Sequence, residues 1–227
     1  MGNKYSKWVS TWGTATSITD RREAVYAKDV TLRYPVRVNF DGSRIRLRFS
    51  NLTGTEGVEL TKVFADEAAV TFCGRTSVEI APGKEVESDE IDFECTAGQT
   101  VAVSIYLGKC TQMNAGTLVT GPLSGGTYAY GDFAQAKEFP VELSRPTNIY
   151  YFLNTLDVLT SEENSAICCY GDSITAQDWP DYLQLELLEL DDTHTFSHLQ
   201  YPHSIIVRSN PNVVAISAAR IHMPLRI

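Results

Sequence analysis

Period-two alternation of apolar and polar residues, in short runs each closed by a turn signal, governs most of the first two thirds of this chain. Val30-Thr31-Leu32-Arg33-Tyr34 and Val36-Arg37-Val38-Asn39-Phe40 alternate, and Asp41-Gly42 after them reads as a hairpin turn. Ile45-Arg46-Leu47-Arg48-Phe49 then puts Ile45, Leu47 and Phe49 on one face and two arginines on the other. Asn51-Leu52-Thr53-Gly54 follows as a turn. The runs at Val58–Val63, Ala69–Cys73, Ser77–Ile80 and Ile91–Phe93 repeat the pattern, with turns at Pro82-Gly83-Lys84 and Ala97-Gly98. Thr100–Leu107 is the strongest strand signal of all. Short strands at roughly 8–12-residue spacing predict a mainly β, antiparallel sandwich of jelly-roll type. No amphipathic helix is expected before Ser173.

Composition narrows the function classes. The chain has 227 residues, 43% of them hydrophobic, which is enough apolar material for a folded core. Net charge is −9, which argues against nucleic-acid binding, because that depends on Lys and Arg neutralising phosphates. The charge is uneven: residues 1–50 hold ten Lys/Arg against four Asp/Glu, and residues 51–100 three against eleven. Two oppositely solvated faces of a sheet structure account for this. No apolar run is long enough for a membrane span, and the residues after Met1 lack the apolar stretch of a secretory signal. The five cysteines, Cys73, Cys95, Cys110, Cys168 and Cys169, include no C-x-x-C pair, so they offer no zinc scaffold. Buried free thiols in a cytoplasmic protein are the expectation.

Residues 111–148 are Gly-rich and read as a long surface loop leading to a strand at Asn148–Leu153. A polar turn with Asp157, Glu162 and Glu163 is expected over 154–165. Ser165-Ala166-Ile167-Cys168-Cys169-Tyr170 is then a short apolar run, expected as a lone parallel-type strand. It meets Gly171-Asp172-Ser173-Ile174-Thr175, after which a helical period sets in through Trp179, Tyr182, Leu183, Leu185, Leu187 and Leu188. The helix is expected to begin near Ile174. A strand, a small-residue turn and a helix can present a nucleophile at the mouth of a parallel sheet, with helix N–H groups near an oxyanion. The simpler alternative is that Asp172 and Ser173 only cap the helix.

Gly171-Asp172-Ser173-Ile174-Thr175, followed by Asp178-Trp179-Pro180-Asp181-Tyr182-Leu183, resembles the first sequence block of the SGNH (GDSL-type) esterases and lipases. Trp8–Ala15, Thr31-Leu32-Arg33, Ile45–Asn51, Val70–Gly74 and Ser88-Asp89 resemble the β-sandwich domain that precedes the catalytic domain in one subgroup. The resemblance spans roughly residues 8–188. It implies a β-sandwich over residues 1–160, then over 161–192 the opening strand, nucleophile elbow and helix of an incomplete α/β SGNH hydrolase domain. It implies Ser173 as nucleophile and backbone oxyanion donor, with Gly171 and Asp172 completing the motif. An acyl or acetyl ester of a small molecule or carbohydrate is the implied substrate, with no cofactor.

The remainder departs from that family. No Gly occurs after Gly171, so the family's second oxyanion donor has no counterpart there, and Asn210 and Asn212 lie outside any Gly-x-Asn-Asp context. The D-x-x-H pattern occurs at Asp191-Asp192-Thr193-His194, 21 residues after Ser173. His194 with Asp191 is therefore the candidate base, but the helix expected between them and Ser173 would carry His194 away from the nucleophile. Residues 193–227 form an atypical tail with no Asp, Glu, Lys or Gly and all four histidines. A truncated or frameshifted end explains that composition better than a metal site does. Two functions follow as expectations: an ester hydrolase, with little activity in this chain, or a non-catalytic β-sandwich module that binds carbohydrate or a protein partner.

Overall fold

The computed structural model describes residues 4–18, 25–171, 178–192 and 203–209. Over these residues the chain is mainly β, built around two larger sheets, three small ones and a helix. In chain order the strands of the larger sheets are β1 (Lys7–Thr14), β2 (Val30–Arg37), β3 (Gly42–Ser50), β4 (Lys62–Ala65), β5 (Ala68–Ala69), β6 (Glu85–Glu87) and β7 (Ile91–Cys95). They continue as β8 (Thr100–Leu107), β9 (Gly126–Tyr130), β10 (Arg145–Thr147), β11 (Leu153–Thr160), β12 (Ser165–Gly171) and, after helix α1 (Trp179–Asp192), β13 (His203–Ser209). One sheet runs β6-β3-β11-β1-β13-β12, with β7 also on β3; the other runs β10-β9-β2-β8-β4-β5.

The alternation does what period two must do. Ile45, Leu47 and Phe49 of β3 and Leu156 and Val158 of β11 meet Leu32, Tyr34 and Val36 of β2 and Val101, Val103 and Ile105 of β8 in one buried cluster. Most of these side chains are fully removed from water, and each buried aliphatic or aromatic side chain contributes about 1.5–3 kcal/mol. On the outer face of β3, Arg46 Nε donates to Asp157 Oδ2 of β11 at 3.0 Å, and its guanidinium lies 4.6 Å from the Trp8 ring centre. Asp157 also accepts a 2.5 Å bond from Ser10 Oγ.

Several sequence expectations need correction. The turn Asp41-Gly42 does not close a hairpin: β2 and β3 lie in different sheets, so the chain crosses between layers there. Gly42 is required by the close approach of β11. A Cβ on it would come within 2.3 Å of Val158 Cγ1 and 2.6 Å of the Leu159 carbonyl oxygen. Val30–Arg37 is one strand that runs through Pro35. Pro35 sits opposite Ala102, whose N–H and C=O both bond to Asp66 on the far side, so no bond from Pro35 to β8 is lost.

The Gly-rich stretch holds an interior strand, β9, paired to both β2 and β10. The polar turn expected at 154–165 is for its first half the central strand β11, where Asp157 faces outward to Arg46. Between Ile149–Tyr151 and β11 the chain is broken at Phe152, whose φ is +65°. Of the thiols, Cys95 and Cys169 are buried but Cys73 and Cys110 are exposed, so burial is not common to all of them. Burial pushes the Cys95 thiol up to about 12.

The strand of the 161–192 segment is not alone. β12 pairs in parallel with β13 along its length, from Ser165↔His203 to Gly171↔Ser209. β13 in turn pairs in parallel with β1 at Gly13↔Ile206 and Thr14↔Val207. A strand from the 193–227 tail thus joins β12 to the larger sheet. The tail's lack of acidic and glycine residues leaves enough β-branched residues, Ile205, Ile206 and Val207, to sustain a strand. No helix among the described residues is long and apolar enough to cross a membrane.

Candidate functional site

The candidate site expected from the sequence lies at the edge where β12 ends. Gly171 is the last residue of β12 and lies level with Ser209 at the end of β13. After seven intervening residues α1 begins at Trp179, five positions beyond the start expected near Ile174. The local chemistry explains the shift. The Asp178 carbonyl accepts from the Asp181 N–H at 3.0 Å and the Tyr182 N–H at 3.3 Å, which makes Asp178 the N-cap. Pro180 lacks an N–H and disfavours helix in the residue before it, so it fits only in a first turn.

Because β12 and β13 are parallel, the chain between them must return along the sheet, and α1 makes most of that journey against β13. The helix N-terminus therefore lies at the Gly171 edge and its C-terminus at the opposite one. Asp191 stands in the last turn of α1, thirteen residues past Asp178, or about 20 Å along the axis. Asp172, Ser173 and His194 lie outside the described residues.

The first two turns of α1 are keyed to the antiparallel body by buried polar contacts. Asp181 accepts a 3.0 Å bond from the Leu123 N–H and a 3.1 Å bond from Ser124 Oγ. Burial raises its carboxyl above the ordinary value, the two hydrogen bonds pull it back, and the charge of Asp178 adds to the rise. Gly121 makes this approach possible: its φ is +132°, and a Cβ there would stand 2.2 Å from Asp181 Oδ2. One turn on, Gln184 Nε2 donates to Asn39 Oδ1 at 2.8 Å. Asn39 is itself fixed, its N–H on Thr11 Oγ1 at 2.8 Å and its side-chain amide on the Thr11 carbonyl at 3.1 Å.

Around this anchor lie aromatic groups. Tyr150 stacks on Tyr34 with ring centres 4.2 Å apart, stands 5.5 Å from Trp12, and accepts from the Gly125 N–H at 3.4 Å. Burial raises the Tyr150 phenol well above its ordinary range. Trp179 and Tyr182, one turn apart on α1, are exposed on the outward side, at 39% and 54%. No three His, Cys, Asp or Glu side chains among the described residues group as a metal site would require.

Sequence reasoning missed Asp181, Gln184 and Asn39. Asp181 stands at the third position of the helix, where an acidic residue has a local explanation in the helix dipole, and nothing local shows that it reaches across to Leu123. Compared with known proteins, the chain matches no protein-family model and has no significant match among curated proteins.

Proposed function

We propose that this chain is an ester hydrolase of the SGNH (GDSL-type) lineage, with Ser173 as nucleophile and its N–H as an oxyanion donor. The substrates are acyl or acetyl esters, on small molecules or on carbohydrate. Its antiparallel body corresponds to the jelly-roll-like sandwich of one subgroup, and 161–192 to the opening of the hydrolase domain. The observation that supports this reading is the frame around the motif. A strand ends at Gly171 beside a parallel partner, a helix starts at Trp179, and Asp172-Ser173 lies in the seven residues between. The C-terminal edge of parallel strands is where open α/β sheets receive ligands, and a serine in such a strand-to-helix connection can be attacked or can attack without disturbing a core.

The base is unassigned. In the sequence His194 comes two residues after Asp192, the last residue of α1. A serine without its base forfeits roughly 10²–10⁴-fold, and each missing oxyanion donor on the order of 10²–10³-fold. Hydrolysis of p-nitrophenyl acetate by the full chain tests the proposal. The expected result is slow turnover abolished by Ser173→Ala and unchanged by His194→Ala. Identical rates for the parent chain and Ser173→Ala overturn the assignment of the nucleophile. Ordinary esterase rates lost on His194→Ala overturn the reading of the base.

A further inference from the structure

A groove of about 650 Å³ lies at the other end of the molecule from Gly171. The registers place it there. Cys169 is level with the end of β1 at Thr14 and Gly171 lies two residues beyond it, whereas β7 pairs with the beginning of β3, at Gly42 and Ile45, level with Leu159 and the start of β1. The floor is the outer face of β8, kept low by Ala102 and Ser104, with Ala68 beside them. One wall is the Asp66–Glu67 turn, another is Phe93 and Glu94 of β7, and the third is the segment Gln135–Lys137. The volume falls within the ~300–1,000 Å³ typical of small-ligand clefts.

Two walls are fastened to the floor. Asp66, at φ +49°, bonds Ala102 twice: its N–H donates to the Ala102 carbonyl, and its Oδ1 accepts from the Ala102 N–H. The third wall is held by Arg33. Its Nε donates to Ser104 Oγ at 2.8 Å, and its two terminal nitrogens donate to the carbonyls of Phe133, Ala136 and Lys137. Its guanidinium also stacks 4.2 Å from the Phe139 ring centre. A half-buried arginine is thus spent on positioning backbone, and the groove is formed before any ligand arrives, which lowers the ordering cost of binding.

The hydrogen-bonding groups left facing the groove are mixed. Glu67 and Glu94 offer acceptors, Lys137 offers donors and Gln135 offers both, and none of the four side chains hydrogen-bonds another described residue. Phe93 supplies an aromatic surface. Four carboxylates, counting Asp66 and Asp92, repel a polyanion, and Arg33 and Lys137 disfavour a bare cation. The floor strand β8 is paired on both sides, so no backbone edge is open for a peptide to extend. A chain of vicinal hydroxyls matches the rest: each hydroxyl donates to a carboxylate and accepts from an amide or ammonium group, and the C–H face of a sugar ring packs on an aromatic ring.

We propose that this groove binds a neutral oligosaccharide, at a site away from the Gly171 edge and independent of the ester-hydrolase reading. Titration calorimetry on the full chain with cellohexaose, xylohexaose and mannohexaose tests it, with hexalysine as the peptide probe. Saturable binding of at least one hexaose is expected. Gln135→Ala and Lys137→Ala should each weaken it by about 2–10-fold, the worth of one hydrogen bond, while the melting temperature stays put. Ser173→Ala should leave it unchanged. No binding of any hexaose, binding indifferent to both groove variants, or binding of hexalysine alone overturns the proposal.

Discussion

Gln184 Nε2 of the helix and Asn39 Oδ1 of the turn between the two larger sheets meet at 2.8 Å, and both residues are almost wholly buried, at 6% and 0% exposure. Neither has water as an alternative partner, so the pair ties the candidate active edge to the antiparallel body. Replacing Gln184 by Ala leaves an orphaned Asn39 oxygen, at a cost of about 1–3 kcal/mol. Asn39→Ala loses this bond and the one to the Thr11 carbonyl and should cost more. Urea unfolding of the two single variants and the double variant should show a coupling of about 0.5–3 kcal/mol. Strictly additive effects would mean that the two side chains do not share their bond in solution.

Gly121→Ala should destabilise the docking of α1. Its φ of +132° is open to glycine and few others, and the new Cβ would crowd Asp181 Oδ2 at 2.2 Å. Backbone strain of this kind costs about 1–3 kcal/mol. Amide hydrogen exchange at Tyr182 and Leu183 should accelerate. In an Asp181→Ala background the clash with the carboxylate is gone and only the 2.9 Å approach to Cβ remains, so the second substitution should cost less there than in the parent chain.

Two aspartates should pull stability in opposite directions with pH. Burial raises Asp181, so the folded chain holds that proton more tightly than the unfolded chain. Its contribution is fullest below the ordinary carboxylate value and is lost as pH rises through the raised one. Asp89 is lowered, first by the Gly74 N–H and then by the Thr71 hydroxyl and the Cys73 N–H. Its contribution is present above the ordinary value and is lost as pH falls through the lowered one. Thermal unfolding against pH should therefore lose part of its acid-side decline in Asp89→Asn, and part of its fall as pH rises from the ordinary carboxylate value through the raised one in Asp181→Asn. A pH profile that neither substitution alters would contradict both assignments.

Much of the local structure was legible in the sequence. The run Thr100–Leu107 is β8 to the residue, and the faces of Ile45, Leu47 and Phe49 are the buried ones. What misled was wherever a neighbour, not the residue itself, sets the conformation. Leu153–Thr160 was obscured by Asp157, which lies in a central strand because Arg46 and Ser10 receive it. Gly126–Tyr130 was hidden among glycines, one of which, Gly126, is needed because a Cβ there would reach Tyr34 at 2.8 Å.

At the candidate site the same division holds. The strand before Gly171 and the helical period after it are written in adjacent residues, because alternation and helix period are decided within a few positions of the chain, whereas the helix start was read near Ile174 and is set at Trp179 by Asp178 and Pro180. That β12 has a parallel partner, that Asp181 reaches Leu123 and that Gln184 reaches Asn39 were decided only by the tertiary structure. Each of these links residues that are far apart in sequence. Period-two and helical patterns specify which side of an element is buried, but carry no term for which distant element buries it.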